Sequence, residues 1–451
     1  MPPLATLAVA VAVVFVLIIR FKVNAFIALI VAAMTAGLLS PQVELARTMQ
    51  MVAMRFGDVC GRIGIVIALA ALVGFCLMES GAADKITRVF VRLLGEKRSS
   101  LSLLGSGYVL AIPVFFDTVF YLLVPLARAM RIRTGKNYLL FVMAICAGGT
   151  ITHSLVPPTP GPLAAASTLG VDLGVMILTG CIVGLPMAAA GWLFSAYMDR
   201  ALPVPFRETP GLSLKELEEL AHRSEQHLPG FAHSLSPIVL PVLMITSNTV
   251  AQAVAPGSGL AKVTAFLGDP NFALLVATVI SLHMLAHQKR LTLAELAGRV
   301  EAAFSNAGLI ILITAAGGAF GGMLVEAGVG KALSEMSKEY QVPVLLLGFL
   351  LAGLMKLAQG SGTVAIITTS SIVAPLLVEA PPPYHPVYVA MAIGSGALVG
   401  SWMNDSGFWV YKQMSGLTEG EALKTWTPLL AVLGFTGFLT VLAASTLLPL
   451  K

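Results

Sequence analysis

Ser154-Leu-Val-Pro-Pro-Thr-Pro-Gly161 and Ser401-Trp-Met-Asn-Asp-Ser-Gly407 each interrupt a long apolar segment with glycine, proline or small polar residues. Such residues break helices, so we expect neither stretch to continue as an ordinary helix. In hydrocarbon the freed backbone groups are tolerated only where protein or a water-filled cavity satisfies them. The leading serines lie 247 residues apart. This spacing predicts that two halves of the chain each break one helix to build a shared binding site.

The composition is that of an integral membrane protein. Of the 451 residues, 57% are hydrophobic and 11% are charged, and the mean hydropathy is +0.87. Many apolar runs approach the roughly 20 residues that a membrane-spanning helix needs. These runs include 4–19, 24–39, 63–78, 174–197 and 428–449. We therefore expect an all-α polytopic membrane protein and not a β-barrel, whose strands would alternate apolar and polar residues.

Charge and cysteine usage exclude several other classes. The net charge of +5 comes from Lys and Arg between apolar runs, so it reports membrane topology and indicates no nucleic-acid partner. A nucleotide-binding Gly-Lys-Ser/Thr loop and metal-ligand spacing are both missing from the sequence. The four cysteines lack paired spacing; they are Cys60, Cys76, Cys146 and Cys181. The sequence predicts no cofactor and no bound metal.

Similarity between the two halves extends beyond the breaks. Glu79-Ser-Gly81 resembles Glu326-Ala-Gly328 at an offset of 247, and Gly170 matches Gly416 at an offset of 246. The nearly constant offset indicates an internal duplication. The predicted division is a first repeat over 1–198, a cytoplasmic linker over 199–236 and a second repeat over 237–451. The two glutamates, which end apolar runs, are interpreted as solvated helix ends.

Basic segments set the predicted orientation. Residues 84–98 carry five Lys or Arg against two acids, and 128–136 carry four and no acid, so both should be cytoplasmic. The segment 101–127 then enters and leaves on one side, and it is too short for two crossings. It predicts a re-entrant hairpin around Pro113.

The second half follows the same plan with the opposite orientation, which predicts an inverted-repeat secondary transporter. A second hairpin is expected over 342–379, and the two broken helices over 138–170 and 387–415. The linker holds ten charged residues. Within it, 213–220 predicts a surface helix that begins with a capping box formed by Ser213 and Glu216.

The two hairpin tips and the two helix breaks should converge on one site for a small anion. Helix N-termini offer unpaired N–H groups to an anion, and Ser, Thr and Asn side chains can bond to hydroxyls. The predicted ligand is a small hydroxy or polyhydroxy carboxylate. The candidate substrate-binding residues are Phe116, Asp117, Thr118, Thr152, His153, Ser154, Thr159, Gly161, Gln359, Gly360, Ser361, Gly362, Thr363, Ser401, Asn404, Asp405 and Ser406.

Three of these residues are candidates for proton coupling. Asp117 and Asp405 are carboxylates deep in apolar segments, where a charge is costly, and His153 adjoins the first break. The alternative is structural: each carboxylate caps a broken helix, and the histidine stays neutral on a freed carbonyl. Lys356 precedes the second hairpin tip and either neutralises the substrate or extends to the membrane interface.

Four ordered motifs resemble those of the gluconate permease (GntP) family over nearly the whole chain. They are Ile112-Pro-Val-Phe-Phe-Asp117, Thr152-His-Ser-Leu-Val-Pro-Pro-Thr-Pro-Gly-Pro162, Ala358-Gln-Gly-Ser-Gly-Thr-Val-Ala365 and Gly400-Ser-Trp-Met-Asn-Asp-Ser-Gly-Phe-Trp409. The resemblance implies a proton-coupled symporter for gluconate or a related sugar acid in the bacterial cytoplasmic membrane. Its superfamily implies inverted repeats in a homodimer that moves substrate by an elevator motion.

One departure and several alternatives accompany the resemblance. Family members often read Thr-His-Gly-Leu-Val-Pro-Pro-His-Pro-Gly-Pro, whereas this chain has Ser154 and Thr159 at the Gly and second His positions. The family also includes transporters of D-serine and of short hydroxy acids, so glycerate or lactate are alternative substrates. A passive anion channel fits the inverted openings less well. For an intramembrane enzyme we find no nucleophile motif.

Overall fold

The computed structural model describes residues 1–95, 98–207, 228–332 and 343–450, and within these ranges it contains helices and no strand. In the first half the α-helices are α1 (Pro3–Phe15), α2 (Ala25–Leu39), α3 (Thr48–Glu79), α4 (Ala82–Leu94), α5 (Ser99–Leu110), α6 (Phe116–Thr134), α7 (Tyr138–Leu155), α8 (Pro160–Leu169) and α9 (Leu173–Ala201). In the second half they are α10 (Phe231–Val254), α11 (Gly259–Leu267), α12 (Pro270–Lys289), α13 (Leu293–Glu326), α14 (Val344–Gln359), α15 (Gly362–Glu379), α16 (Val387–Gly396), α17 (Ser406–Ser415) and α18 (Glu419–Leu447).

The helix inventory confirms a polytopic all-α membrane protein. Eight helical segments in the described ranges are long and apolar enough to cross a membrane. The two expected hairpins are α5–α6, joined through 111–115, and α14–α15, joined at Gly360-Ser361. The two broken helices are α7–α8, interrupted at 156–159, and α16–α17, interrupted at 397–405.

Two stretches that read as basic loops are largely helical. α4 occupies most of 84–98, and α6 continues through Thr134. Lys and Arg are good helix formers, so a run of them does not end a helix. Each helix ends instead at a glycine with positive φ, Gly95 at 75° and Gly135 at 69°.

Corresponding helices of the two repeats end and restart in the same way. Gly170 and Gly416 end α8 and α17 in the left-handed conformation, with φ of 69° and 63°. Glycine adopts this conformation without a Cβ penalty. The next helices then begin at side-chain N-caps: Asp172 accepts from the N–H of Val175, and Thr418 accepts from the N–H of Glu421.

The long helices α3 and α13 form an antiparallel pair that joins the two repeats. Arg55 near the start of α3 pairs with Glu326 at the end of α13. Arg299 near the start of α13 pairs with Glu79 at the end of α3, with 2.5 Å between Nη1 and Oε2. The two glutamates are partly exposed, as expected of helix ends, but each also binds an arginine of the other repeat. The sequence had shown no partner for either residue, because the pairing is tertiary.

Short helices of each repeat pack against hairpin helices of the other repeat. α8 of the first broken helix packs against α15 of the second hairpin, and α17 packs against α6 of the first hairpin. A Cβ at Gly161 would lie 3.5 Å from Thr363 Cα and 3.0 Å from the Ile366 side chain, so glycine permits the close approach of α8 to α15. This packing brings all four interruptions to one place.

The linker is described only at its ends. Residues 208–227, which include the predicted helix 213–220 with Ser213 and Glu216, lie outside the described ranges. The boundaries of the two repeats and the linker stay a prediction. Just before this segment, Arg207 bonds to Glu421 of α18 at 2.6 Å, and its carbonyl accepts from Arg128 of α6 at 2.6 Å.

Close packing of α3 against α13 predicts a position-dependent effect of glycine substitution. A Cβ at Gly318 would lie 2.2 Å from Val59 Cγ2, whereas one at Gly308 of the same helix meets nothing within 4 Å. We predict that Gly318→Ala lowers the unfolding free energy by about 1–3 kcal/mol through overpacking. Gly308→Ala, the matched control, should be neutral or stabilising by up to about 1 kcal/mol. Thermal unfolding in detergent measures both, and equal effects would contradict the packing of this helix pair.

Candidate functional site

The four interruptions surround a cavity of about 220 Å³. Each hairpin tip and each helix break contributes side chains to its wall, so the predicted convergence is present. Of the residues predicted for the site, those that line the cavity are Phe116, Asp117, His153, Ser154, Ser361, Gly362, Thr363, Asp405 and Ser406.

The other predicted residues do not line the cavity. They are Thr118, Thr152, Thr159, Gly161, Gln359, Gly360, Ser401 and Asn404. Several of them hold the interrupted backbone: the Thr159 hydroxyl donates to the Val156 carbonyl at 2.5 Å. Gly360 has a φ of 84°, and a Cβ there would lie 2.0 Å from the Asn404 carbonyl oxygen. Only glycine fits this close approach.

A buried ion pair between Lys356 and Asp405 forms one wall of the cavity. The Nζ–Oδ2 distance is 2.6 Å, and the two side chains are 6% and 11% exposed. Lys356 also donates to the Gly360 carbonyl at 2.5 Å. Asp405 accepts from the Ser401 hydroxyl at 2.5 Å and from the Gly407 N–H at 2.9 Å. Lys356 therefore does not extend to the membrane interface, and Asp405 caps α17 as well as facing the cavity.

The second break is fastened to the end of α14. The Asn404 amide donates to the carbonyls of Lys356 at 3.1 Å and Leu357 at 2.7 Å. Those carbonyls lie in the last turn of the helix, where that of Lys356 also accepts from the Gly360 N–H at 2.8 Å. The Ser401 hydroxyl accepts from the Trp426 indole N–H at 2.7 Å. The break is thus tied to both α14 and α18.

His153 and Asp117 face the cavity from the first repeat. The buried Nδ1 of His153 has no hydrogen-bond partner among the described residues, and its ring meets Phe115 edge to face at 5.9 Å between centroids. Asp117 lies in the first turn of α6 and lines the cavity together with Ser406. No side chain in the described part of the chain caps the N-terminus of α6, so its N–H groups and partial positive charge are available beside the cavity.

The sequence did not point to every residue of the wall. Trp426 and Leu430 come from α18, and Thr150 comes from α7 ahead of the break. Trp426 and Leu430 lie within an uninterrupted apolar helix and carry no local signal. Thr150 follows two glycines and precedes His153, and this small polar neighbourhood would have been a usable clue.

Comparison with known proteins decides the family. The model of the GntP family permeases matches residues 2–447. The chain belongs to the GntP permease family. It is similar to a gluconate permease of Pseudomonas aeruginosa, with 36% identity over 438 residues that cover 96% of this chain and 95% of the relative. The L-idonate transporter of the Gnt-II system of Escherichia coli is 31% identical, with 99% and 100% covered.

A solved structure supports the fold. The YdaH transporter of Alcanivorax borkumensis, whose crystal structure is described as having an unusual topology, matches with a TM-score of 0.65 and 12% identity over 95% of this chain and 98% of that one. At this identity the likeness concerns the fold alone. Family membership and the membrane-spanning helices together make this GntP permease a multi-pass transporter of the bacterial inner membrane and not an enzyme.

The burial of Lys356 predicts a large stability effect. Lys356→Met leaves Asp405 buried without its cation, and at alkaline pH, where the carboxyl stays charged, we expect a loss of about 3–5 kcal/mol in unfolding free energy. Lys412→Met is the matched control, because Lys412 is 31% exposed and lies 3.7 Å from Glu419; an exposed pair contributes about 0–1 kcal/mol. The double variant Lys356→Met/Asp405→Asn should recover much of the loss. Thermal unfolding in detergent tests this, and equal effects of the two lysine variants would contradict the buried pair.

Proposed function

We propose that this GntP permease is a proton-coupled symporter that imports gluconate or a closely related sugar acid across the bacterial cytoplasmic membrane. The observation that carries the proposal is the make-up of the cavity wall. One ammonium group, that of Lys356, stands near the uncapped N-terminus of α6, and both favour a carboxylate. Hydroxyl groups that suit a polyhydroxy chain come from Thr150, Ser154, Ser361, Thr363 and Ser406.

The size of the cavity favours a sugar acid over a three-carbon acid. A volume of about 220 Å³ corresponds to about seven water molecules, each with a share of about 30 Å³ in the liquid. Glycerate, lactate or D-serine would leave much of this space to water, whereas a six-carbon chain would use it. Relatives named for gluconate and L-idonate support the same substrate class.

We also propose alternating access by an elevator motion in a homodimer. The exchanged packing of α8 on α15 and of α17 on α6 supports this, because it joins the hairpins and the broken helices into one unit. That unit would move relative to the antiparallel pair α3–α13, which the Arg–Glu contacts fasten at both ends. Proton coupling is supported by the two cavity carboxylates, Asp117 and Asp405, and by His153.

Reconstituted protein should accumulate labelled gluconate in proteoliposomes when the outside is more acidic than the inside. A protonophore should abolish the accumulation, and a sodium gradient at uniform pH should not drive it. Equilibration without accumulation under every gradient would instead identify a passive anion pathway. Accumulation driven by sodium would refute the proton coupling.

Competition should rank the substrates by size and hydroxyl number. We predict that unlabelled gluconate and L-idonate inhibit uptake at least about tenfold more effectively than glycerate, lactate or D-serine, because lost hydroxyl contacts each contribute about 1 kcal/mol. Empty liposomes provide the background. Stronger competition by a three-carbon acid would overturn the sugar-acid proposal and leave the transporter assignment intact.

A further inference from the structure

The cavity wall contains an ion pair whose burial calls for a functional explanation. Two charges removed from water are costly, and a buried pair often stabilises a protein less than apolar residues of the same volume would. Asp405 could cap α17 without any lysine, and Lys356 could be replaced by an apolar residue of α14. The pair nevertheless lies directly on the cavity.

Charged or titratable groups from three neighbouring helices face Asp405. α14 contributes Lys356, α6 contributes Asp117, and α7 contributes His153. From α18 the indole of Trp426 reaches Ser401, and an indole does not titrate. Among the described residues of the wall, the groups that can carry charge are thus the carboxyls of Asp117 and Asp405, the ammonium of Lys356 and the imidazole of His153.

A monoanionic substrate would therefore enter a site whose ammonium is already paired with a carboxylate. The substrate carboxylate and Asp405 would repel each other, and this repulsion is stronger in a partly buried cavity than in bulk water. Lys356 is the one ammonium on this wall, and it is already bonded to Asp405 at 2.6 Å. Substrate and Asp405 must compete for it.

We propose that Lys356 exchanges partners during transport and that Asp405 carries the proton. In the empty site Lys356 holds Asp405 ionised. When a substrate carboxylate takes over Lys356, Asp405 loses its cation and binds one proton from solvent; when substrate leaves, Lys356 returns and the proton is released. The proposal rests on the proposed function and deepens it, because it makes Lys356 the residue that links carboxylate recognition to proton binding.

The hydrogen bonds around the pair are suited to such an exchange. Asp405 keeps two donors, the Ser401 hydroxyl and the Gly407 N–H, when Lys356 departs. A hydroxyl can reverse and accept from the protonated carboxyl, since it is both donor and acceptor. Asp117 differs, because Lys356 acts on it only at longer range: the lysine forms its ion pair with Asp405, and none to Asp117 is found in the described residues. One proton and one monoanion together carry no net charge.

Calorimetric titration with gluconate in buffers of different ionisation enthalpy measures the protons taken up per substrate bound. For the wild-type protein, in the pH range where the empty site is deprotonated and the loaded site is protonated, we expect about one proton per substrate and an affinity that falls about tenfold per pH unit. Asp405→Asn, which mimics the protonated form, should bind gluconate with no proton uptake and with an affinity independent of pH. Lys412→Gln removes a lysine outside the cavity and should behave as wild type.

A second readout uses the unaltered protein. Infrared difference spectra on gluconate binding should show a carboxylate lost and a protonated carboxyl gained. The exchange would be overturned if the wild type bound gluconate with no proton uptake and no carboxyl band. It would also be overturned if Asp405→Asn took up as many protons per gluconate as the wild type. Either result would leave the transporter proposal standing. A wild-type protein that binds no sugar acid would refute the proposed function instead.

Discussion

Backbone groups freed inside a membrane must find partners, and this constraint determines how the transporter is built. The two interruptions of the second repeat meet this constraint with particular side chains: Ser361 and Asp405 cap the helices that follow, Asn404 bonds to the last carbonyls of α14, and Lys356 bonds to the Gly360 carbonyl. Ser361, Asp405 and Lys356 also form the cavity wall. The structural and the functional alternatives for Asp405 are therefore not exclusive, because the same carboxylate caps a helix and faces the cavity.

The symmetric plan produces an asymmetric site. Matching glycines and N-caps show the repeat, and the Arg–Glu pairs between α3 and α13 show its inversion. At the breaks themselves the repeats differ: the first supplies His153 and a proline-rich turn, while the second supplies the Lys356–Asp405 pair. Among the residues that the structure describes, only the second half thus places an ion pair on the cavity, which suits a site for one anion and one proton.

Local sequence predicted the breaks, the hairpins and most of the wall, because proline and glycine act on the backbone where they occur. Pairings between distant segments were not predictable in this way. Lys356 and Asp405 each stood out as charges in apolar surroundings, but nothing in the sequence joined them. The arginine partners of Glu79 and Glu326 depend on the antiparallel packing of two helices, and Trp426 reaches the site through the fold alone. The helix breaks and their hydroxyl side chains predicted a small hydroxy carboxylate, and the resemblance to the GntP family narrowed that expectation to gluconate or a related sugar acid.

In the proposed exchange, one substrate carboxylate and one proton cross together because they share Lys356 and Asp405. The most direct measurement sets opposing gradients of gluconate and pH across proteoliposomes and finds the condition of zero net flux. We predict that gluconate about tenfold more concentrated inside is balanced when the outside is about one pH unit more acidic, at any membrane potential. A zero-flux condition that shifts with membrane potential, or that does not depend on the pH difference, would contradict one-to-one coupling of gluconate to a proton.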